Sequence, residues 1–415
     1  MTRQPGKKPG VRPRLESLSA STEAPQASVR APLGLFSLPP LSLYVHVPWC
    51  VRKCPYCDFN SHELRGELPE NDYLNALQAD LELALPQIWG RQIVSVFIGG
   101  GTPSLLSAAA MDRMLSMLRA YLNLWPETEI TLEANPGTVE AARFRSYADS
   151  GITRLSLGVQ SFDDGALQAL GRIHDGDQAR AAIDTAQACF ERVNLDIMFA
   201  LPDQTLEACE QDVRTAISFG TGHLSLYHLT LEPNTVFAKY PPAVPDDETS
   251  AIMQEYIVAL AEAAGFERYE VSAYARDGQR AVHNVNYWEF GDYLGIGPGA
   301  HSKLSFPDRV IRQARLRNPT SWMAAAQRRD HSHLADDHPI EPADFAFEFM
   351  LNALRLRDGV PASFFFERTG QPYASIAPIL HELRAKGLLE NDPMQIRTTE
   401  LGWRFLNDVQ GAFLT

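Results

Sequence analysis

Three of the five cysteines stand close together, as Cys50, Cys54 and Cys57, in the spacing Cys-x3-Cys-x2-Cys. Thiolates are the usual ligands of iron–sulfur clusters, and a loop this short can present three of them to one [4Fe–4S] cluster. Three ligands for four irons leave one iron with an open coordination position, the feature that separates catalytic from structural metal sites. The spacing therefore predicts a cluster that can act on a bound molecule.

A structural zinc ion is the alternative for this loop, with His46 or His62 as the fourth ligand. Zinc ribbons usually supply their ligands as two separated pairs, and this sequence offers no second pair. Cys189 and Cys209 stand alone in helical stretches and are expected to be core thiols. Clustered cysteines of this kind indicate a metal in a reducing compartment, so we expect a cytoplasmic protein.

The composition is that of a globular protein of 415 residues, 45% hydrophobic and 21% charged. No apolar run approaches the ~18 residues of a membrane-spanning helix, so we expect no transmembrane segment. A formal net charge of −14 argues against a nucleic-acid partner, which would require a basic face. Residues 1–40 are locally basic and rich in Pro and Ser, which predicts a disordered tail, with an organelle transit peptide as the alternative.

From residue 43 to residue 230, short aliphatic or β-branched runs alternate with stretches of helical periodicity. This alternation indicates βαβ units and a parallel sheet. The predicted strands are Leu43–Val47, Val94–Ile98, Glu129–Glu133, Arg154–Val159, Asn194–Phe199 and His223–Leu229. Six such units predict an α/β fold, a partial (β/α)6 barrel rather than a closed eight-stranded one.

The rest of the chain divides into two parts. Residues 246–335 begin with a helix at Ser250–Ala264 and a short strand at Arg268–Ala273, and then look rich in loops. Residues 336–415 carry helix candidates and a short β-ribbon that resemble a winged-helix module without a basic recognition face. We therefore predict a tail (1–40), a core barrel (41–245), an extension (246–335) and a C-terminal helical domain (336–415).

Polar residues fall at the carboxyl ends of five of the six predicted strands, where the site of a parallel barrel lies. They are Cys50, the turn 99–103 (Gly-Gly-Gly-Thr-Pro), Glu133, Gln160 and Thr230, and Asp196 lies within the remaining strand. Residues without a Cβ let a ligand lie flat on such a turn, and free N–H groups there can bind a carboxylate. We expect the glycine-rich turn to act in this way.

The run Tyr-x-His-x-Pro-Trp-Cys-x3-Cys-x-Tyr-Cys at residues 44–57 resembles the cluster motif of the radical S-adenosylmethionine (SAM) superfamily. The same run is similar specifically to the oxygen-independent coproporphyrinogen III oxidase family. Within that family, residues 50–61 (Cys-Val-Arg-Lys-Cys-Pro-Tyr-Cys-Asp-Phe-Asn-Ser) resemble the heme-chaperone subfamily, HemW. The resemblance extends from about Leu43 to the C-terminus. It implies a [4Fe–4S] cluster on the three cysteines, SAM at the open iron, and an electron donor for the reductive cleavage of SAM.

The resemblance also implies roles for individual residues. The positions that match SAM contacts are Tyr44, Tyr56, Gly100, Gly101, Thr102 and Glu133. Those that match a second SAM molecule in the oxidase are Gln160, Arg172, Asp196 and Thr230. For two of these a structural role is the alternative, because Gln160 could cap a strand and Asp196 could satisfy backbone donors.

The segment His283-Asn284-x-x-Tyr287-Trp288 resembles the HNxxYW motif of heme-associated members. An imidazole can ligate heme iron, and an adjacent Tyr–Trp pair offers flat apolar surface for the macrocycle. His301, in the glycine-rich run 295–301, is a second candidate axial ligand. The alternative is an ordinary loop histidine at His283 and a core tryptophan at Trp288.

Two departures from the oxidase pattern bear on function. The oxidase has a further cysteine two residues after the triplet, where this chain has Phe59, and a structured N-terminal extension, where this chain has the Pro-rich tail. Both favour a heme chaperone that binds heme and transfers it to acceptor hemoproteins. Oxidative decarboxylation of coproporphyrinogen III is the alternative, so the sequence leaves open whether the chain is an enzyme.

Overall fold

A mixed sheet of twelve strands forms the frame of the protein in the residues that the structure describes. The structure is a computed structural model, and it describes residues 34–35, 37–137 and 141–414. Most of the predicted tail, residues 1–33, lies outside the described residues. The strands are, in chain order, β1 Leu41–Val47, β2 Trp49–Cys50, β3 His62–Glu63, β4 Gln92–Gly100, β5 Asn123–Ala134, β6 Arg154–Gln160, β7 Arg192–Phe199, β8 His223–His228, β9 Glu267–Arg268, β10 Ala273–Ala275, β11 Asp292–Ile296, β12 His301–Phe306, β13 Arg309–Arg315, β14 Leu334–Pro339, β15 Val360–Pro361 and β16 Gln395–Ile396.

The six predicted strands are the consecutive parallel strands β1, β4, β5, β6, β7 and β8 of this sheet. Strand β5 begins six residues earlier than expected, at Asn123. The sheet order is β14-β13-β12-β11-β1-β4-β5-β6-β7-β8-β10-β9, and its two ends do not pair with each other. The predicted open α/β barrel is therefore confirmed.

Helices follow the parallel strands and cover the sheet. They are α1 Glu70–Ile88, α2 Ala108–Tyr121, α3 Phe144–Ser150, α4 Asp164–Ala169, α5 Gly176–Cys189, α6 Leu206–Ser218, α7 Val236–Lys239, α8 Asp247–Ala263, α9 Val282–Trp288, α10 Pro319–Arg328, α11 Phe345–Ala353, α12 Ser363–Thr369, α13 Ala377–Ala385, α14 Glu400–Arg404 and α15 Leu406–Gly411. Several begin at a side chain that accepts a backbone N–H of the first turn, which satisfies a donor that the helix leaves unpaired. These N-caps include Ser107, Asp163, Asp175 and Thr205. None of the described helices is long and apolar enough to cross a bilayer.

The prediction that residues 246–335 are mainly loops after their first helix and strand is wrong. The HNxxYW segment is helix α9, and the glycine-rich run after it ends β11 and begins β12. Strand β11 pairs in parallel with β1, and β12, β13 and β14 continue the sheet as antiparallel strands. The extension thus widens the sheet on the side of the first strand.

A buried polar network holds this extension and explains why its strands are hard to predict. The carboxylate of Asp292 accepts hydrogen bonds from Lys303 Nζ (2.9 Å), Ser305 Oγ (2.8 Å) and Arg91 Nη1 (2.8 Å). Lys303 also lies 4.1 Å from the ring centroid of Phe290. Because charged side chains occupy the buried face, β11 and β12 lack the alternation of apolar and polar residues that marks a half-buried strand.

The C-terminal helices α11–α15 and the ribbon of β15 with β16 form the last part of the chain, close to the predicted helices and ribbon. Two short helices, α14 and α15, end this part and are separated at Phe405. The apolar core of this part also contains Leu35, Phe290 and Val310. The C-terminal helices therefore share a core with the sheet, and the four predicted segment boundaries stay predictions.

Candidate functional site

The cysteine loop leaves the carboxyl end of β1 and is held by the turn that follows β4. Gly101 donates its N–H to the Val47 carbonyl (2.7 Å), and Thr102 donates to the Trp49 carbonyl (2.7 Å). A Cβ at Gly101 would lie 2.6 Å from that Trp49 oxygen, closer than packing allows. Glycine is required here so that the turn can approach the cysteine loop.

Gly100 meets a similar restriction. Its backbone has φ +113°, and a Cβ would lie 2.5 Å from the His46 ring. Its N–H donates to Glu133 Oε2 (2.9 Å). The N–H groups of Gly100, Gly101 and Thr102 are thus all paired within the protein, and the expectation that they are free to bind a ligand carboxylate is wrong.

A cavity of 130 Å³ lies between the cysteine loop, this turn and the ends of β5, β6 and β7. Of the residues predicted to bind a cluster or SAM, it is lined by Cys50, Cys54, Tyr56, Cys57, Gly100, Gly101, Thr102, Glu133, Gln160, Arg172 and Asp196. Gln160, Arg172 and Asp196, which were expected at a second SAM, thus lie beside the cysteines. Tyr44 and Thr230 line neighbouring cavities instead.

The charge around the cysteines fits an anionic cluster. Arg172 Nη1 lies 3.7 Å from Cys54 Sγ, and its Nη2 donates to Asn135 Oδ1 (2.6 Å) and to the Gly158 carbonyl (2.7 Å). This arginine is therefore held beside the thiol by two fixed acceptors. Burial raises the pKa of the Cys50 and Cys57 thiols, so loading with iron must release protons.

A single zinc ion fits this loop less well. Both ring nitrogens of His46 are engaged, Nδ1 with the Tyr44 hydroxyl (2.7 Å) and Nε2 with the Asn60 carbonyl (2.9 Å). His62 Nε2 lies 3.3 Å from Asn60 Oδ1. Across residues 34–35, 37–137 and 141–414, no three His, Cys, Asp or Glu side chains converge on one point as a mononuclear site requires. A cubane differs because each thiolate binds a separate iron.

Glu133 and Asp196 place two carboxylates at the inner wall of the 130 Å³ cavity. Burial raises the pKa of Glu133 to about 7, and the nearby Asp196 adds to this effect. Asp196 accepts hydrogen bonds from Ser156 Oγ (3.0 Å) and Asn194 Nδ2 (2.8 Å). These partners are side chains, so they do not support the alternative that Asp196 satisfies backbone donors.

Gln160 ends β6 with φ +70°. This left-handed conformation is uncommon for a residue with a Cβ and is found most often at functional sites. The pairing of β6 with β7 shifts its register between Gly158 and Gln160. The strand end is thus distorted where it borders the cavities.

A second cavity, of 420 Å³, continues from the first into the interior of the open barrel. Thr230 and Glu232 lie along it, and so do Arg154 and Thr131. Arg154 Nη2 and Thr131 Oγ1 are buried and have no hydrogen-bond partner among the residues that the structure describes. This polar interior borders both the cysteine-lined cavity and the helix α9.

A third cavity, of 1040 Å³, opens between β1, α9 and the hairpin of β12 and β13. Its lining includes every residue of the predicted heme set, His283, Asn284, Tyr287, Trp288 and His301. Tyr287 packs against Trp288 with ring centroids 4.9 Å apart, and it lies at the same distance from Tyr293. The volume is at the upper end of the range of small-molecule and cofactor pockets.

Of the two candidate heme ligands, His283 and His301, His283 has the position better suited to binding iron. Its Nδ1 lies 3.3 Å from Glu129 Oε1, and its side chain is 18% exposed. Glu129 is buried between Arg154 (3.7 Å) and Arg192 (3.4 Å). These partners outweigh the effect of burial, and the pKa of Glu129 lies below its ordinary value. A histidine that donates Nδ1–H to a carboxylate presents a basic Nε2, the arrangement common among metal-bound histidines.

The rest of the predicted heme set is placed as follows. Asn284 Nδ2 donates to the Tyr269 hydroxyl (3.1 Å), which fixes the side chain beside His283. Trp288 is partly buried against the C-terminal core, with Arg355 4.2 Å from its ring centroid. His301 is exposed at the start of β12, on the opposite wall of the cavity. The alternative that Trp288 is a core residue holds in part, since it both packs on the core and lines the cavity.

Phe97 is a site residue that the sequence did not reveal. It lies in register with Tyr44 on the neighbouring strand, with the rings stacked at 6.0 Å. On its other side it lies 4.4 Å from the His283 ring. Alternate side chains of β4 lie on the same face of the sheet, and Phe97 is on the face that carries the site. The sequence alone does not show this, because the register of β4 against β1 must be known first.

Two family models match this chain. The radical SAM superfamily matches residues 44–216, and the HemN C-terminal domain matches residues 340–405. The heme chaperone HemW of Escherichia coli K12 is 47% identical over 92% of this chain and 100% of its own length. The heme chaperone HemW of Haemophilus influenzae Rd is 45% identical over 91% of this chain and 99% of its own.

The chain belongs to the HemW family. The HemW of Bacillus subtilis 168 is also similar, at 33% identity over 90% of this chain and 99% of its own length. Coproporphyrinogen III oxidase (HemN) from Escherichia coli has the same fold, with a TM-score of 0.78, 21% identity and 92% of each chain covered. As part of the radical SAM superfamily, the HemW family implies a [4Fe–4S] cluster and SAM.

Proposed function

We propose that this protein is a heme chaperone that binds heme in the 1040 Å³ cavity and transfers it to acceptor hemoproteins. The observation that carries the proposal is His283, whose Nδ1 faces the buried Glu129 while its ring borders the cavity. Its HemW relatives, which are named heme chaperones, support the same function. The five free cysteines fit a reducing compartment, so we propose the cytoplasm as its location.

In this proposal Cys50, Cys54 and Cys57 hold a [4Fe–4S] cluster at the 130 Å³ cavity, and SAM extends from there into the 420 Å³ cavity that continues from it. When bound, the cluster supplies one-electron reduction of SAM, and an external protein supplies the electron. The chain's own residues orient the ligands. Arg172 stabilises the thiolate charge from 3.7 Å, and the ionised Glu133 attracts the positive charge of SAM.

For heme, the proposed axial ligand is His283 through Nε2. Glu129 keeps the proton on Nδ1, so the other nitrogen can bind iron. Burial lowers the pKa of His283, which favours the neutral, ligand-competent ring. The adjacent rings of Tyr287 and Tyr293 offer an apolar wall for the macrocycle.

Hemin titration of the anaerobically reconstituted protein tests the proposal. We expect a Soret shift with one heme per chain, and transfer of that heme to apomyoglobin as a generic acceptor. His283→Ala should lose the shift, whereas His381→Ala, an exposed histidine on α13 away from the cavities, should keep it. Conversion of coproporphyrinogen III at a catalytic rate, or equal heme binding by both variants, would overturn the proposal.

A further inference from the structure

The hairpin wall of the 1040 Å³ cavity carries a concentration of positive charge. Burial, together with Arg312, Arg317 and Arg315, lowers the pKa of His301 on this wall. Arg312 and Arg317 line this part of the cavity, and the buried Arg315 is a third guanidinium near His301. This positive charge is concentrated in a chain whose net charge is −14.

Two of these three cations are already neutralised by the protein. Arg312 pairs with Glu348 and donates to the Tyr293 hydroxyl at 2.6 Å. Arg315 is buried, where it pairs with Asp80 at 3.4 Å. Both guanidinium groups thus have a fixed acidic partner.

Arg317 differs, because its guanidinium has no hydrogen bond or ion pair within the described residues. The nearby carboxylate of Asp336 is paired with His338, at 3.0 Å. The side chain of Arg317 is exposed and borders the cavity. A guanidinium without a fixed acidic partner at the edge of a cavity is well suited to bind a ligand carboxylate.

The backbone of Arg317 is held in place. Asn60 Nδ2 donates to the Arg317 carbonyl (2.9 Å) and to the Pro298 carbonyl (2.9 Å). Gly299, next to Pro298, has φ +78°, and a Cβ there would lie 2.3 Å from Asn60 Nδ2. The base of the Arg317 side chain therefore has a defined position relative to the cavity.

We infer that Arg317 binds a propionate carboxylate of the porphyrin and so sets which edge of the macrocycle faces the hairpin. The inference rests on the proposed heme function and goes beyond it by naming the chemical group that is recognised. The apolar edge then faces apolar residues of the same lining, Leu43, Phe97 and Trp288. In this orientation the carboxylate edge of the porphyrin lies next to Arg317, and its apolar edge lies next to apolar side chains.

The test compares hemin with hemin dimethyl ester, whose propionates carry no charge. We expect wild-type protein to bind hemin about tenfold more tightly than the ester, as one charge-assisted hydrogen bond provides. Arg317→Gln should bind both ligands with the affinity that the wild type has for the ester. Arg317→Lys should recover part of the preference, because it restores the charge without the planar fork.

Arg309→Gln is the matched control, because it removes the same charge from the opposite end of the hairpin, outside the cavity lining. It should leave the tenfold preference intact. Equal binding of both ligands by the wild type, or an equal loss of both in Arg317→Gln, would overturn the inference while leaving the heme function standing. Failure of the wild type to bind hemin at all would instead remove the proposed function, and the inference with it.

Discussion

At the scale of single residues, Glu133 joins the glycine-rich turn to the cavity beside the cysteines. Burial raises the pKa of its carboxyl to about 7. The group is therefore ionised above this pH and neutral below it. SAM is a cation, so ionised Glu133 should bind it more tightly than the neutral form does.

We predict that the affinity of the reconstituted protein for SAM falls about tenfold between pH 8 and pH 6, because one unit below the pKa about a tenth of the carboxyl is ionised. Glu133→Gln should bind SAM weakly and lack this dependence. Calorimetric titration at several pH values measures both, and the variant corrects for the titration of SAM itself. Glu232→Gln, at the neighbouring cavity, should keep the wild-type profile; the same slope in Glu133→Gln would contradict the prediction.

The backbone of Gln160 is strained, because its φ is +70°. We predict that Gln160→Gly raises the free energy of unfolding by up to about 1 kcal/mol, because glycine adopts this conformation without a Cβ clash. The same change should weaken SAM binding, because the side chain lines the cavity. Urea denaturation and SAM titration test the two effects.

Asp203→Gly serves as the control for this strain. Asp203 also has a left-handed backbone, with φ +56°, and it lies outside the cavity linings. Its gain in stability should be smaller, because aspartate tolerates the conformation better than glutamine, and its SAM affinity should not change. A stable Gln160→Gly protein with wild-type SAM affinity would show that the side chain plays no part in the site.

Most residues of the candidate site could be predicted from the sequence, but the roles of some of them could not. The cysteines and the polar strand ends could be found because parallel strands bring their carboxyl ends together. The roles of Gly100 and Gly101 could not, because their closest neighbours, His46 and Trp49, come from a different strand and loop. Glu129 was missed for the same reason, as its partner His283 is 154 residues away in the chain.

At the scale of elements, Asp80 on α1 contacts several segments next to the hairpin of β12 and β13. It accepts hydrogen bonds from Gly297 N (3.0 Å) and Trp322 Nε1 (3.2 Å), and it pairs with Arg315 and with His333. The glycine run, β13 and α10 thus meet at one buried carboxylate. Its removal would leave Arg315 buried without a compensating charge.

We predict that Asp80→Ala lowers the free energy of unfolding by about 3–5 kcal/mol, the cost of breaking a buried ion pair by removing one partner. Asp72→Ala, an exposed acid in the first turn of the same helix, should cost less than about 1 kcal/mol. Denaturant titration followed by circular dichroism measures both. Equal midpoints for the two variants would mean that Asp80 does not hold these elements together.

The elements of the central barrel were predictable and those of the extension were not, for a physical reason. β6 and β7 carry an aliphatic residue at every second position, and this period of two is the signal of a strand. These residues are Leu155, Leu157 and Val159 in β6 and Val193, Leu195 and Ile197 in β7. β12 instead buries Ser302, Lys303 and Ser305, which resemble surface residues until their partners are known, Arg315 for Ser302 and Asp292 for the other two. Side chains that satisfy one another inside the protein carry no periodic signal.

At the scale of the whole molecule, the C-terminal helices and the sheet stabilise each other through one apolar core. Phe290, which follows α9, packs against Phe349 of α11 with ring centroids 5.6 Å apart. Val310 of β13 belongs to the same cluster. The C-terminal part therefore supports the helix that carries the HNxxYW motif.

We predict that Phe290→Ala lowers the free energy of unfolding by about 3–5 kcal/mol. The C-terminal helices and the sheet should still unfold together in one transition. Tryptophan fluorescence and far-ultraviolet circular dichroism should give coincident curves. Phe405→Ala, whose side chain is 51% exposed, should have little effect. Two separated transitions would show that the C-terminal helices form an independent unit.

Asn60 lies three residues beyond the last cysteine of the triplet, yet both hydrogen bonds of its amide nitrogen end on backbone carbonyls beside the hairpin wall, at Pro298 and Arg317. One side chain therefore connects the cysteine loop to the 1040 Å³ cavity. A substitution that removes this amide would release the cysteine loop and the hairpin wall from each other in a single step.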